Sequence, residues 1–183
     1  MNEDPHQASK YLSRFSKLVR NILDSSVEDF VTLEEEISTI NNYLELQKLR
    51  YKDKFDYRLV VDESIDTKDI HIPPMLAQPF IENSIEHGIK NKSTTGHIDI
   101  RFYRKNDHIV CEIEDDGVGR EKAREILYRH DKSHRSLGTT ITFERIKVLN
   151  KKFKRKIRPF IRDLKDANDR PIGTLVRIEM PVG

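Results

Sequence analysis

Two alternating stretches near the middle of the chain limit its fold more than any other feature. Apolar and polar side chains alternate through residues 97–105 (HIDIRFYRK) and again through 108–116 (HIVCEIEDD), the pattern of a β-strand with one buried face. Only Asn106 and Asp107 separate the two stretches, and these residue types favour a tight turn. The sequence therefore predicts a β-hairpin here.

The same alternation marks the remaining strands. Residues 55–62 (FDYRLVVD) predict one strand, and residues 156–183 predict a closing hairpin with its turn near Asn168 and Asp169. Because most of these strands come in hairpins, we expect an antiparallel or mixed sheet.

Between the strands, apolar residues recur at helical spacing. The predicted helices are 6–26, one that begins at Thr32, 74–87, and one that begins at Thr140. Thr32 forms a capping box with Glu35, while Pro73 and Pro74 mark the start of the third helix and Gly88 its end. The predicted fold class is α+β, a two-layer α/β sandwich with an additional N-terminal helix.

Composition excludes several classes of protein. Charged residues make up 35% and apolar residues 36% of the 183 residues, which is enough apolar material for a core and argues against disorder at a net charge of only +2. That small net charge also gives little overall attraction to nucleic acid. The single cysteine, Cys111, excludes an internal disulfide framework, and no apolar run reaches the roughly 18 residues that cross a membrane.

The helix predicted over 74–87 carries a polar stripe formed by Glu82, Asn83, Glu86 and His87. At about 100° per residue, Glu82 and Glu86 share one face, with Asn83 and His87 one step round. An amide oxygen such as that of Asn83 suits Mg²⁺, which keeps several waters and takes few protein ligands. A neighbouring carboxylate could take up a proton. An ordinary amphipathic helix with a solvated side has the same pattern.

The segment EDDGVG, residues 114–119, follows the second strand of the predicted hairpin. Gly117 and Gly119 allow a turn and let a flat ligand approach the backbone. Asp115 is held at the strand end, where its carboxylate could accept a hydrogen bond from the exocyclic amine of adenine. Asp and Gly are equally common in turns without a ligand, and the spacing does not fit an EF-hand loop.

Two further segments are candidates for contact with a nucleotide. Residues 133–140 (SHRSLGTT) form a polar loop that opens a helix, and free N–H groups at a helix start bind phosphates. The loop lacks the Gly-Lys-Ser/Thr of a P-loop and is also compatible with a solvated connection. Gly173 and Thr174 begin the last strand.

Taken in order, these segments resemble the Bergerat-type ATP fold of histidine kinases, gyrase-like ATPases and MutL-like proteins. Residues 32–57 (TLEEEISTINNYLELQKLRYKDKFDY) and 72–89 (IPPMLAQPFIENSIEHGI) are more narrowly similar to the LytS-like sensor histidine kinases. The resemblance covers roughly residues 8–181.

The resemblance implies a role for each candidate residue. Asn83 would hold the Mg²⁺ that bridges the phosphates of ATP, Asp115 would take the adenine amine, and residues 120–137 would form a lid over the nucleotide. Glu82 is assigned as the catalytic base and His87 as a structural or phosphate-side hydrogen-bonding group. The cofactor-binding set is completed by Gly117, Gly119, Arg135, Gly138, Thr139 and Thr174.

Two residues depart from the pattern of the family. Asp116 replaces the Asn that usually follows the adenine-binding Asp, and its charge should weaken phosphate binding unless it points away. Glu86 stands where many histidine kinases have a Lys, so a phosphate contact by that Lys is missing.

The resemblance assigns residues 1–30 to the second helix of a dimerisation hairpin and 31–183 to a catalytic ATP-binding domain. The implied activity is transfer of the ATP γ-phosphoryl group to a histidine of the same homodimeric kinase, and then to a response regulator receiver domain. His6 is interpreted as a surface residue, so the acceptor histidine is expected to lie upstream and this fragment to be inactive alone. The full-length protein is expected in the bacterial plasma membrane, with this part cytoplasmic.

Two alternatives belong to other classes. The chain could be a non-catalytic nucleotide-binding or dimerisation module, which the residues Asp116 and Glu86 favour. The basic stretch 151–162 (KKFKRKIRPFIR) could contact nucleic acid phosphates. Basic residues are also favourable at the end of a helix, so no nucleic acid partner is expected.

Overall fold

The computed structural model describes residues 5–52, 54–130, 137–152 and 156–182. Its helices are α1 (Pro5–Val27), α2 (Leu33–Arg50), α3 (Gln78–Asn83), α4 (Arg120–His130) and α5 (Leu137–Lys152), and a π-helical segment (Ser84–Ile89) continues α3. Its strands are β1 (Val31–Thr32), β2 (Phe55–Val61), β3 (His71–Ile72), β4 (Gly96–Lys105), β5 (His108–Asp115), β6 (Arg158–Lys165) and β7 (Pro171–Pro181).

Five strands form one mixed sheet in the order β2-β4-β5-β7-β6. The pair β2 and β4 is parallel, and the other three neighbouring pairs are antiparallel. Ile100, Ile113 and Val176 lie side by side across the central strands and belong to the core together with apolar residues of α2, α3, the π-helical segment and α5. The opposite face carries ion pairs such as Lys105–Glu179. The α+β class and both hairpins are confirmed.

The start of α2 follows the predicted capping box. The backbone N–H of Glu35 donates to Thr32 Oγ1 at 3.2 Å, and the Glu35 carboxylate accepts from the Thr32 backbone at 2.9 Å. Two donors that lack partners at a helix start are thereby satisfied. Within α2, Leu33, Ile40 and Leu44 are almost fully buried, so the cap also fixes which face of the helix meets the sheet.

The helix predicted over 74–87 has different bounds in the structure. It begins at Gln78, with Pro79 in its first turn, because the backbone groups before it are bonded elsewhere. The Met75 N–H donates to both carboxylate oxygens of Glu36, at 3.1 and 3.0 Å, and the Pro74 carbonyl accepts from Arg145 Nη1 at 2.7 Å. Met75 itself has a left-handed backbone, with φ of 57°.

The far end of this helix continues past Gly88, where the prediction placed its end. Residues Ser84–Ile89 form a π-helical segment, closed by a hydrogen bond from Lys90 N to Ile85 O at 2.9 Å. This five-residue step is the hydrogen bond of a π-helix, a rare element that is frequent at functional sites. Gly88 is therefore part of the helix.

Helix α1 packs along α2. Leu18 is buried between them, and Arg14 forms an ion pair with Glu45 at 2.7 Å. Other large apolar side chains of α1 are exposed, namely Tyr11, Leu12, Phe15, Val19 and Leu23. Within the part of the chain that the structure describes, none of the helices combines the length and the hydrophobicity needed to cross a bilayer. The boundary proposed near residue 30 stays a prediction.

Candidate functional site

A cavity of about 340 Å³ opens between the π-helical segment, the ends of β5 and β7, and α4. Its polar lining includes Asn83, Ser84, His87, Asp115 and Thr174, and its apolar lining consists of Phe80, Ala123, Phe143, Ile161 and Val176. Phe80 and Phe143 meet edge to face, with ring centroids 6.1 Å apart. An apolar slot with a few polar groups at one end is the usual form of a small-molecule site.

Asp115 is the main polar group of the cavity. It is the last residue of β5, beside Thr174 of β7, and it is only 4% exposed. Oδ2 accepts from Ser84 Oγ at 2.7 Å, and Oδ1 accepts from the Gly117 backbone at 2.9 Å. Burial raises the pKa of Asp115 to about 6, against the opposing effect of these hydrogen bonds. The carboxylate is therefore ionised at neutral pH and can accept a further hydrogen bond from a ligand.

Two glycines let the backbone close up beneath Asp115. A Cβ added to Gly117 would lie 2.6 Å from the Cα of Gly88 and 2.7 Å from Asp115 Oδ1. These distances are too short for a real Cβ atom, so Gly117 could not carry a side chain at this contact unless the backbone moved. Gly117 thus supports the site from below, whereas Gly119 lines the cavity itself with a left-handed φ of 81°.

The residues of the helix that face the cavity lie one position further along the chain than predicted. Asn83, Ser84, His87 and Gly88 line the cavity. Glu82 is exposed and is not among the lining residues, so its assignment as the catalytic base stays a prediction. Glu86 accepts hydrogen bonds from Tyr51, Arg50 and Lys90 on the side of α2.

Asp116 is directed away from the cavity. Its Oδ1 accepts from the His97 backbone at 2.7 Å, and its Oδ2 pairs with Lys92 Nζ at 2.8 Å. Lys92 thus balances the negative charge of Asp116 on the side of β5 that faces away from the cavity. Asp116 is not among the residues that line the cavity.

Helix α4 forms one side of the cavity. Arg120 donates two hydrogen bonds to the Asp163 carboxylate, both at 2.6 Å, and so ties the start of α4 to β6. Arg120, Ala123 and Arg124 all line the cavity. The site therefore has guanidinium groups beside its apolar wall.

The remaining predicted residues divide into two groups. Thr174 and Gly119 line the cavity as expected. Gly138 and Thr139 lie in the first turn of α5, but their surroundings are not described. Arg135 lies outside the described residues. Sequence reasoning missed Ser84, although its place next to Asn83 could have indicated it, and it missed Phe143, for which no local signal existed.

The described residues include no group of three or more His, Cys, Asp or Glu side chains able to hold a metal. The donor set that the sequence predicts does not require such a group. A magnesium ion held by one amide, by water and by ligand phosphates needs no such cluster. The Asn83 amide at the cavity wall fits that role.

Comparisons with known proteins agree with this description. The family model described as histidine kinase matches residues 1–55. The sensor protein LytS of Staphylococcus epidermidis is 31% identical over 116 residues, which cover 63% of this chain and 19% of the relative. The sensor histidine kinase BtsS of Escherichia coli is 31% identical over 115 residues, covering 63% and 20%. The chain thus spans about a fifth of the length of these relatives.

Solved structures share the fold. The mycobacterial sensor histidine kinase MprB is 20% identical, with a TM-score of 0.54 over 85% of this chain and 98% of that one. Histidine kinase ThkA, solved in complex with the response regulator protein TrrA, is 18% identical, with a TM-score of 0.53 over 100% of this chain and 53% of that one. The predicted resemblance is confirmed: in sequence this chain is similar to the LytS-like sensor histidine kinases, and in fold it is similar to histidine kinases of known structure.

Proposed function

We propose that this chain is the ATP-binding catalytic part of a two-component sensor histidine kinase. The observation that carries the proposal is a buried Asp115 carboxylate, held by Ser84 at 2.7 Å, at one end of an apolar slot that also has Asn83 in its wall. The adenine base enters the slot, where Phe80, Phe143 and Val176 contact its faces, and its exocyclic amine donates to Asp115. The triphosphate extends past Asn83.

The chain contributes mainly by positioning the nucleotide. Asn83 would hold the metal, with water and phosphate oxygens as further ligands, and a Mg²⁺ ion there would supply positive charge beside the phosphates. The γ-phosphoryl group passes to a histidine of the kinase and then to a response regulator; the complex of the related ThkA with TrrA supports that partner. Glu82 remains our proposal for the base.

We further propose that the parent protein is a membrane-anchored homodimer, with this part in the cytoplasm. The exposed apolar side of α1 is the proposed dimer surface, and residues 1–30 are the second helix of the dimerisation hairpin. Relatives of this chain are named as sensor proteins, which supports a parent protein that detects a signal.

Metal-dependent binding of ATP tests the role of Asn83. Replacing Asn83 with Ala is expected to weaken ATP binding roughly tenfold in the presence of Mg²⁺, because the ion loses its protein ligand. Without Mg²⁺ the variant and the wild type should bind ATP equally. Isothermal titration calorimetry with ATP, with and without MgCl₂, measures both values.

A matched control is Asn168→Ala in the β6–β7 turn, which removes the same group far from the cavity and should leave both affinities unchanged. Equal affinity of wild type and Asn83→Ala in Mg²⁺ would contradict the metal role.

A second candidate is a non-catalytic module of the same fold. It is favoured by Glu86, whose bonds to Arg50, Tyr51 and Lys90 replace the phosphate contact expected of a Lys. It would bind nucleotide without transferring phosphate.

Radiolabelled ATP separates the two candidates. The isolated chain should bind ATP but acquire no acid-labile phosphate. When it is mixed with a kinase-dead full-length copy that carries the acceptor histidine, that copy should become labelled. Label on His6 of the isolated chain would refute the upstream acceptor, and an unlabelled full-length copy would support the non-catalytic module.

A further inference from the structure

We propose that Ser84 is a positioning residue that keeps Asp115 an ionised hydrogen-bond acceptor and so makes the site select a 6-amino purine over a 6-oxo purine. The inference rests on the proposed nucleotide-binding function and assigns base selectivity within that site to a residue outside the predicted set.

The geometry places Ser84 against the carboxylate it would control. Ser84 is the first residue of the π-helical segment and is 5% exposed, while Asp115 is 4% exposed. Ser84 Oγ lies 2.7 Å from Asp115 Oδ2. An ionised carboxylate can only accept hydrogen bonds, so the hydroxyl must donate. The Gly117 backbone donates to the other oxygen at 2.9 Å, and together the two bonds fix the plane of the carboxylate.

The protonation state of Asp115 decides which base fits. An ionised carboxylate accepts from the amine of adenine, whereas a protonated one can donate to the carbonyl of hypoxanthine or guanine. Burial favours the protonated form, and a hydrogen bond donated to the carboxylate favours the ionised form. Ser84 therefore acts against burial at this position.

Other charged groups near Asp115 do not replace Ser84. The adjacent Asp116 disfavours ionisation of Asp115. His87 of the π-helical segment, and Arg120 and Arg124 of α4, line the same cavity. Arg120 is committed to Asp163. The hydroxyl of Ser84 is the side-chain donor that the structure places on Asp115.

The test compares wild type, Ser84→Ala and Ser84→Cys. Calorimetry measures the affinity for ATP and for inosine triphosphate between pH 5.5 and 8.5, in the presence of Mg²⁺. In Ser84→Ala, we expect the pH at which ATP binding is half lost to rise by about one unit, because a charge-assisted hydrogen bond to the carboxylate is removed. For a midpoint that moves from about 6 to about 7, ATP affinity should fall about twofold at pH 7 and nearly tenfold at pH 5.5. Inosine triphosphate should bind equally well or better. Ser84→Cys, with a weak S–H donor, should fall between.

The protonation of Asp115 is also measured directly. The ¹³C chemical shift of the Asp115 carboxyl reports its titration without nucleotide, and the midpoint should rise in Ser84→Ala. His87→Gln, measured in the same series, separates titration of the imidazole from that of the carboxyl. Each variant is first checked for folding by circular dichroism, and Ser84→Cys keeps the test valid if Ser84→Ala does not fold.

Two failures are distinguishable. If wild type binds ATP and Ser84→Ala shows the same carboxyl midpoint and the same preference for ATP, the role of Ser84 is overturned while the nucleotide site stands. If wild type binds neither nucleotide, the proposed function itself is wrong, and the inference falls with it.

Discussion

Replacing Asp115 with Asn is expected to weaken ATP binding at least about 100-fold at pH 7.5. The Asn side chain has one oxygen and one NH₂ group, but two donors, Ser84 Oγ and the Gly117 backbone, already point at the two oxygens of Asp115. The Asn oxygen can still accept from the Gly117 backbone, and the Asn NH₂ group can donate to Ser84 Oγ, which then accepts. The base amine, however, loses its charged acceptor and faces a neutral side chain whose NH₂ group is itself a donor. A hydrogen bond to a charged group contributes about 1.5–3 kcal/mol, and the upper part of this range corresponds to the expected loss of affinity.

The neighbouring carboxylate supplies a matched control. Asp116→Asn makes the same change one residue away, on a side chain that bonds Lys92 and the His97 backbone outside the cavity. Its ATP affinity should stay within about threefold of wild type, since an exposed ion pair contributes little. Thermal melts show whether each variant is folded. Equal losses in the two variants would mean that Asp115 has no special contact with the ligand.

Replacing Glu36 with Gln is expected to remove much of the pH dependence of stability between pH 5 and 7.5. Glu36 is 4% exposed, and both its oxygens accept from the Met75 backbone. Burial raises its pKa to about 7, against the opposing effects of the Met75 N–H and the charge of Arg145. The ordinary pKa of Glu is 4.5, so between 4.5 and 7 the folded chain binds more protons than the unfolded chain.

The sign follows from this difference in bound protons. The free energy of unfolding falls as the pH rises through this window, by about 3 kcal/mol in total for this one group. The Gln variant retains an oxygen for the Met75 N–H but cannot ionise. Its free energy of unfolding should therefore change less with pH and exceed that of wild type at pH 7.5.

Urea denaturation of wild type and Glu36→Gln at several pH values measures the effect. Asp115, whose pKa is raised to about 6, contributes a slope of the same sign to both proteins, so it cancels in the comparison. Glu34→Gln changes the same group at an exposed position of α2 and should follow wild type. Parallel curves for wild type and Glu36→Gln would show that Glu36 titrates normally.

The local signals in the sequence predicted much of this structure. Alternation predicted the five strands of the main sheet but not the short strands β1 and β3. Asn106 indicated the turn between β4 and β5, and the Thr32–Glu35 pair indicated the start of α2. Asp115 was recognisable because an acid at a strand end, followed by glycines, points to a held acceptor. All of these depend on neighbours within a few residues along the chain.

Features that depend on distant contacts escaped prediction. The prolines at 73 and 74 resembled a helix start, but α3 begins only at Gln78 because Glu36 and Arg145 bind the backbone between them. Which polar residues face the cavity also depended on packing, so Ser84 and not Glu82 lines it. The direction in which the Asp116 side chain points could not be predicted either, because it depends on contacts with Lys92 and the His97 backbone.

The π-helical segment also limits how the length of the chain can vary. Its wider hydrogen-bonded loop holds one residue more than an α-helical loop, so removing a single residue from 84–87 would restore the narrower loop and draw Gly88 back toward the start of the helix. Gly88 would then lose its close backbone contact with Gly117, and the packing beneath Asp115 would be lost. An insertion in the exposed loop after Lys90 could not repair this change, because it comes after the contact. Single-residue deletions within 84–87 should thus abolish ligand binding, whereas the exposed residues 93–95, which follow Lys92 and its ion pair with Asp116, should tolerate one.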